Sequence, residues 1–333
     1  MRDLIKALIG IAISLITILL IFRFTNVDIS LDVLKNLDLR FLSIAFILQA
    51  SFWFLWALRL KLISKLLGNN LDLSYSFEIT LSSMFFAAIT PSSAGGEPLR
   101  VKLIGDRCGS YGLATAVVLI ERVLDGAFFA ISLPILVIIT GFFTKLGFRI
   151  SIVFSILLIL FLISLYVLLK DPSRIRCMIN CFGSLMGRII GERATRITEK
   201  MIKEAENFRE ALIEMIKAQK SQSAVIFMLT VIMWILGFLI PSFILMSLRE
   251  DPSFLLSITS QVIIVVVSLI PLTPGSSGIA EASMAYLYSE FVPHRILGVL
   301  VAIWRTITYY LNIVVGSVVS IKVLGKAKYT CKQ

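Results

Sequence analysis

Long apolar runs without a single charge are the feature that most constrains this chain. Residues 41–58, 150–169 and 221–248 contain no Asp, Glu, Lys or Arg. A helix rises 1.5 Å per residue, so each run is long enough to cross a hydrocarbon layer about 30 Å thick. Backbone groups cannot bond to water there, so such runs must be helical. The sequence therefore predicts an all-α, polytopic transmembrane helical bundle.

Composition and charge exclude a soluble fold and a nucleic-acid partner. Hydrophobic residues make up 58% of the 333 residues, and charged residues only 16%, which is too apolar for a soluble interior of this size. The net charge is +11, and 11 of the 32 basic residues lie in 170–220, against seven acidic residues there. Most of the others flank apolar runs, as the positive-inside rule and anionic lipid headgroups require.

The N-terminal apolar run and the cysteines predict neither a cleaved leader nor a cofactor. Residues 4–22 are followed by Arg23 rather than a small-residue cleavage site, so we expect a retained first helix. Cys177 and Cys181 have no second pair, and His294, the single histidine, follows a proline in a loop. We therefore expect no metal and no cofactor.

The topology follows from the charges between the apolar segments, which are roughly 4–22, 41–58, 73–89, 113–139, 150–169, 222–248, 254–272 and 296–321. If all eight were full spans with the N-terminus inside, the basic segment 170–220 would lie outside, against the positive-inside rule. Two re-entrant hairpins, 73–111 and 254–290, correct this. The sequence predicts a single transmembrane domain, 1–333, in the cell membrane, with six full spans, two oppositely oriented hairpins and both termini cytoplasmic.

The cytoplasmic basic segment 170–220 contains an amphipathic helix. In 192–218, apolar residues recur every three or four positions with Lys, Arg and Glu between them. We expect it to pack on the cytoplasmic face of the membrane domain. Insertion into the lipid interface and pairing with a second copy are the alternatives, and a homo-oligomer is compatible with the sequence.

Two polar interruptions in the apolar background resemble each other. The first interruption, residues 90–98, reads Thr-Pro-Ser-Ser-Ala-Gly-Gly-Glu-Pro, and the second, residues 273–281, reads Thr-Pro-Gly-Ser-Ser-Gly-Ile-Ala-Glu. An arginine inside an apolar helix follows each proline by 31 residues, Arg122 in the first case and Arg305 in the second. This pattern predicts an internal repeat with halves 41–139 and 222–321. The opposite hairpins make it an inverted repeat, as in alternating-access transporters.

The interruptions are the predicted substrate site. Proline breaks a helix and frees carbonyls, small residues let backbone N–H groups converge on an anion, and arginine matches a phosphate. The predicted substrate-binding residues are Thr90, Ser92, Ser93, Gly95, Gly96, Glu97, Arg122, Thr273, Ser276, Ser277, Gly278, Glu281 and Arg305. The alternative is structural: the breaks are kinks, Arg122 pairs with Glu97 or Asp125, and Arg305 pairs with Glu281.

The chain resembles a known family through both interruptions and the Glu121-Arg122 pair. Over nearly its whole length, the chain is similar to the flippase-like membrane family. That family is related to the N-terminal membrane region of lysylphosphatidylglycerol synthases. The resemblance implies movement of a lipid or a lipid-linked headgroup between leaflets. Those synthases carry a soluble aminoacyl-transfer domain after this region. This chain ends at Gln333 just after its last span, so we expect no such chemistry here.

The expected function is therefore a lipid transporter, not an enzyme, whose partners are anionic or phosphate-bearing membrane lipids. Glu97 and Glu281 would orient the arginines or carry a coupling proton. A transferase acting on a lipid carrier remains an alternative, with Glu97, Glu121, Asp125 and Glu281 as its acidic residues. Two further alternatives are a transporter of a small soluble anion and a receptor or scaffold that transports nothing.

Overall fold

Helices form all the regular secondary structure in the described part of the chain, as the sequence predicts. The computed structural model of the protein describes residues 37–90, 95–141, 144–171, 193–270 and 273–330, with the positions 16, 173, 176, 179–181 and 184. Five helices lie before the basic segment: α1 (Leu39–Leu66), α2 (Leu73–Ala88), α3 (Gly96–Cys108), α4 (Tyr111–Thr140) and α5 (Thr144–Lys170).

Six more helices follow among the described residues. They are α6 (Arg193–Lys217), α7 (Lys220–Ser247), α8 (Phe254–Ser268), α9 (Ile279–Tyr288), α10 (His294–Arg305) and α11 (Leu311–Thr330). A π-helical turn, Thr306–Tyr310, joins α10 to α11, so these two helices form one continuous span.

Five helices among the described residues are long and apolar enough to cross a membrane. They are Leu39–Leu66, Tyr111–Thr140, Gly147–Val167, Lys220–Ser247 and His294–Gly325. Each contains or overlaps one of the predicted full spans, which confirms a polytopic membrane bundle. The sixth predicted span, 4–22, lies outside the described residues except for position 16. The helix predicted at 41–58 continues for about two more turns, to Leu66.

The two segments predicted to be re-entrant are short helices. The first, α2, has 16 residues and the second, α8, has 15, which gives lengths of about 24 and 22 Å. Each is followed by an interruption and then by a second short helix, α3 or α9. Both hairpins are thus too short in each arm for a full crossing of about 30 Å. Their re-entrant orientation stays a prediction.

The packing of the helices is reciprocal between the two predicted halves. The leading helices α1 and α7 pack against each other. The first hairpin helix of each half packs against the last span of the other half, α2 against α11 and α8 against α4. Within each half, the contacts α1–α2, α2–α3 and α3–α4 correspond to α7–α8, α8–α9 and α9–α10.

An exposed apolar span and an amphipathic helix that packs on the bundle complete the architecture. In the span Gly147–Val167 of α5, only 6% of the residues of its most apolar window are buried, which suits a helix whose surroundings are hydrocarbon. Helix α6 buries Ala211 and Leu212. It packs against α4, where the Glu204 carboxylate accepts a hydrogen bond from the N–H of Gly112 at 2.6 Å. Packing of the predicted amphipathic helix on the bundle is therefore observed.

Candidate functional site

The two interruptions meet inside the bundle. The N–H of Gly275 donates to the carbonyl oxygen of Thr90 at 3.0 Å. The hydroxyl of Tyr309, in the π-helical turn, donates to the carbonyl oxygen of Ala88 at the end of α2 at 3.1 Å. A π-helical turn often marks a functional position in a helix, and here it carries the side chain that joins the halves. Residues far apart in sequence thus form one polar region.

The second interruption is a tight turn closed by its own hydroxyls. Gly275 has φ +54° and Ser276 has φ +55°, a left-handed conformation that is strained for serine. The Ser276 hydroxyl donates to the carbonyl of Ser268 at 2.7 Å, and the Thr273 hydroxyl donates to the carbonyl of Ser277 at 2.7 Å. The buried Ser277 hydroxyl donates to Tyr309 at 3.2 Å. The turn is held in place from several sides.

A closed ion pair follows this turn. Arg305 Nε lies 2.8 Å from Glu281 Oε1, and Nη2 donates to Oε2 at 3.0 Å. The same carboxylate accepts a hydrogen bond from the N–H of Gly278 at 2.7 Å, as in a capping box at a helix start. Both side chains of the pair are buried, and the Arg305 guanidinium lies 4.5 Å from the ring centre of Tyr309.

The first interruption is closed by Thr90 in a similar way. Its hydroxyl donates to the carbonyl of Phe86 at 2.8 Å and accepts from the N–H of Gly95 at 2.8 Å. Helix α3 then begins at Gly96, where a side chain would meet the carbonyl of Ser83 at 2.8 Å. Ser92 and Ser93, predicted to bind substrate, lie outside the described residues.

A network of three arginines and three carboxylates lies beside the first two turns of α3. We call it the six-charge network, and its members are Arg59, Glu97, Arg100, Glu121, Arg122 and Asp125. At its centre, Arg59 bridges two carboxylates, with Nη1 2.6 Å from Asp125 and Nε 3.4 Å from Glu121. Arg100 pairs with the other oxygen of Glu121. Charges so buried are costly unless they are paired.

Aromatic side chains enclose this network. The Trp234 indole N–H donates to Asp125 at 2.9 Å, and Arg59 donates to the hydroxyl of Thr230 at 3.2 Å, so α7 also takes part. The guanidinium groups of Arg59, Arg100 and Arg122 lie 5.9, 5.1 and 5.6 Å from the Trp56 ring centre. Such distances allow cation–π attraction, so one indole packs against three cations.

The outer part of the network is open. Arg122 lies 3.1 Å from Asp125 but 3.7 Å from Glu97, and the Arg122 and Glu97 side chains are 37% and 39% exposed. Their counterparts Arg305 and Glu281 are 6% and 0% exposed. The pairs at matching positions of the predicted repeat therefore differ: one is accessible and loosely joined, whereas the other is closed and bidentate.

An open groove of about 580 Å³ between α3 and α4 reaches the accessible pair. It is lined by Glu97, Pro98, Val101, Lys102, Tyr111, Thr115, Val118, Leu119 and Arg122. A smaller inner cavity of about 70 Å³ has Trp56 and Arg100 in its walls. Glu97 and Arg122 line both the groove and this inner cavity.

The structure shows what the sequence identified and what it missed. It contains the pairs Glu97–Arg122, Arg122–Asp125 and Glu281–Arg305 that the structural alternative named, and it brings the two interruptions together. Assignment of these residues to a substrate stays a prediction. Arg59 and Arg100 were missed, because charges near the end of an apolar run suggest a membrane boundary. One signal was available: Arg59 shares the helix face of Ile63, whereas Lys61 and Lys65 lie on the opposite side.

Comparison with known families gives one match over most of the chain. The sequence pattern described as "Lysylphosphatidylglycerol synthase TM region" matches residues 7–316. This agrees with the resemblance carried by the two interruptions.

Similar full-length proteins occur in several organisms. A UPF0104 membrane protein of Archaeoglobus fulgidus is 45% identical over 326 residues, which cover 98% of this chain and 99% of that protein. The UPF0104 membrane protein PH1989 of Pyrococcus horikoshii is 23% identical, covering 94% of this chain and 96% of its own. The UPF0104 membrane protein MJ1595 of Methanocaldococcus jannaschii is 25% identical, and 93% of each chain is covered.

Proposed function

The chain belongs to the family of the lysylphosphatidylglycerol synthase transmembrane region, and on that premise we propose that it moves a lipid with an anionic or phosphate-bearing headgroup between membrane leaflets. The observation that carries the proposal is the unequal exposure of two equivalent pairs. Glu97–Arg122 is open to a groove, whereas Glu281–Arg305 is closed. An alternating-access transporter exposes its site to one side at a time, through repeats that exchange roles.

The reciprocal packing supports the inverted repeat within this proposal. Each half contributes a short hairpin that packs on the last span of the other half. The hairpins touch through the Gly275–Thr90 and Tyr309–Ala88 hydrogen bonds. A rocking movement of one half against the other would change these contacts and the exposure of both arginines. The protein would lie in the cell membrane, with both termini in the cytoplasm.

The arginines supply the charge for the headgroup. Each restarting helix begins with its own carboxylate, Glu97 in the first turn of α3 and Glu281 in the first turn of α9. These carboxylates already complement the positive helix ends. A headgroup phosphate would therefore replace Glu97 beside Arg122, where the present separation of 3.7 Å is too long for a strong hydrogen bond. Glu97 and Glu281 would orient the arginines or carry a coupling proton.

Two of the four acidic residues that the transferase alternative names are each held by two arginines. Glu121 is paired with Arg59 and Arg100, and Asp125 with Arg59 and Arg122. To act as a general base or a metal ligand, either carboxylate would have to loosen its contacts with these arginines. A transferase that used Glu121 or Asp125 would therefore need this network to come apart.

The test is lipid exchange in liposomes that contain the purified protein. Fluorescent lipids with different headgroups report which class becomes accessible to a membrane-impermeant quencher. Wild type should accelerate exchange of phosphate-bearing lipids, and Arg122→Ala and Arg305→Ala should abolish it. The matched control is Arg295→Ala, since Arg295 forms an ion pair with Glu250 at 3.0 Å but its side chain is 75% exposed. Normal exchange in both site variants would refute the proposal, and conversion of the lipid to a new compound would favour the transferase.

A further inference from the structure

The groove between α3 and α4 has the length of one membrane leaflet. Its α4 wall runs from Tyr111 to Arg122, a rise of about 16 Å over the intervening helix. Half of a hydrocarbon core of about 30 Å is about 15 Å. The groove therefore connects one membrane surface to the level of the six-charge network.

The end of the groove at Tyr111 lies on the same side as the basic helix α6. The Glu204 carboxylate of α6 accepts hydrogen bonds from the N–H of Gly112 and from the hydroxyl of Ser110, at 2.6 and 2.9 Å. Segment 170–220 carries 11 basic and seven acidic residues, an excess that the positive-inside rule places in the cytoplasm. On that rule, the groove opens toward the cytoplasmic leaflet.

The walls of the groove are mainly apolar, with two positive charges at different depths. Val101, Val118 and Leu119 provide apolar contact. Lys102 is exposed in the groove halfway along α3, and Arg122 lies at the inner end. In the described part of the chain no carboxylate forms an ion pair with Lys102. A cation in an apolar groove at this depth is costly without an anionic partner.

These observations favour a lipid over a dissolved anion as the occupant. A dissolved anion gains nothing from an apolar wall, whereas a lipid needs one surface for its phosphate and another for its chains. We propose that this groove is the lateral entry path of a phospholipid from the cytoplasmic leaflet, with Lys102 contacting the phosphate on its way to Arg122. The proposal rests on the transport function above and names its substrate class as a chain-bearing lipid.

Glu97 and Arg122 form the gate at the end of this path. They line both the groove and the inner cavity of about 70 Å³, which has Arg100 in its wall. That cavity is far smaller than the groove of about 580 Å³, so a headgroup would need the pair to separate before it could enter. A phosphate arriving at Arg122 would displace Glu97 and open the cavity toward Arg100.

Two substitutions in the groove test the path without touching the gate. Lys102→Gln removes the intermediate charge, and Thr115→Trp fills the groove from an exposed position on α4. Each should slow the initial rate of lipid exchange about tenfold, the effect of losing one charge-assisted contact or of blocking the route. The matched controls are Lys65→Gln at the end of α1 and Ile138→Trp, which is 65% exposed on α4 outside the groove. Both controls should exchange lipid as wild type does.

The possible results distinguish failure of the proposed entry path from failure of the proposed transport function. Loss of exchange in both groove variants, with normal elution from a sizing column, supports the path. Wild-type rates in both, while Arg122→Ala is inactive, would overturn the path and leave the transport function standing. No exchange by wild type would refute the transport function itself.

A second measurement on wild type avoids any dependence on variant folding. Phosphatidylglycerol with a photoreactive diazirine close to its headgroup is added to the liposomes, and labelled peptides are identified by mass spectrometry. We expect adducts in the peptides that contain residues 101–122. Labelling confined to the lipid-exposed helix α5 would overturn the proposed path.

Discussion

Replacing Gly275 with alanine would place a methyl group between the two interruptions. A β-carbon at this position would lie 2.5 Å from Cε2 of Tyr309 and 2.6 Å from the carbonyl oxygen of Ala88. The ring can move, but the carbonyl belongs to the backbone of α2 and cannot. The residue also has φ +54°, which disfavours any side chain. Alanine therefore disturbs the contact that joins the halves.

The expected cost has two parts. The left-handed backbone costs alanine about 1–2 kcal/mol relative to glycine. The forced overlap costs a further amount of about 1–3 kcal/mol, typical of overpacking. Gly275→Ala should therefore lower the free energy of unfolding by about 2–5 kcal/mol, the sum of these two contributions.

Gly68→Ala is the matched control. Gly68 has φ +78°, and a β-carbon there would have nothing within 4 Å. This variant carries the backbone cost alone, about 1–2 kcal/mol. Both variants are unfolded by denaturant in detergent micelles and followed by circular dichroism. The difference between their losses of unfolding free energy gives the cost of the steric overlap. Lipid exchange in liposomes should be lost in Gly275→Ala and retained in Gly68→Ala.

Equal destabilisation by the two substitutions would refute this reasoning, because it would mean that no overlap occurs between the interruptions. Normal lipid exchange in Gly275→Ala would separately show that the contact between the halves is not needed for transport.

Three further substitutions test other parts of the account. Asp125→Asn should destabilise the protein by about 3–5 kcal/mol in the same titration, since it leaves the fully buried Arg59 without its closest partner; a loss below about 1 kcal/mol would contradict the network. Tyr309→Phe should cost about 1 kcal/mol for its hydrogen bond to the end of α2, and unchanged stability would contradict that bond. Gly112→Ala should detach α6, because a β-carbon would lie 1.9 Å from the carbonyl of Glu204; limited proteolysis should then cut α6 faster, and wild-type resistance would contradict the packing.

The membrane architecture could be predicted because it rests on local properties of the sequence. Length and absence of charge identify a span without knowledge of its neighbours. The end of α1 could not be placed in this way. Lys61 and Lys65 resemble a membrane boundary, but the helix continues to Leu66 and carries Arg59 into the interior. A long basic side chain gives the same signal whether it faces the headgroups or a buried carboxylate.

The meeting of the interruptions could be suspected from their repetition, whereas the roles of individual hydroxyls could not. Thr90, Thr273 and Ser276 each donate to a backbone carbonyl of the local turn. Hydroxyl residues in a turn bond either to a ligand or to the chain itself, and the sequence is the same in both cases. Only the backbone path decides which carbonyl is within reach.

The six-charge network could be predicted from the sequence only in part. Glu121, Arg122 and Asp125 are neighbours in one helix, so their proximity to one another is evident from the sequence. Arg100 and Arg59 join them from α3 and α1, and this depends on how three helices pack. Periodicity can place Arg59 on the buried face of α1, but it cannot show which carboxylates on other helices it pairs with.

The central claim is that the cargo is a lipid rather than a dissolved anion. The most direct test measures two cargoes in the same protein-containing liposomes: exchange of fluorescent phosphatidylglycerol between leaflets, and uptake of radioactive inorganic phosphate. The account predicts accelerated lipid exchange that Arg122→Ala abolishes, with phosphate uptake no faster than in protein-free vesicles. Arg122-dependent uptake of phosphate without any lipid exchange would contradict it.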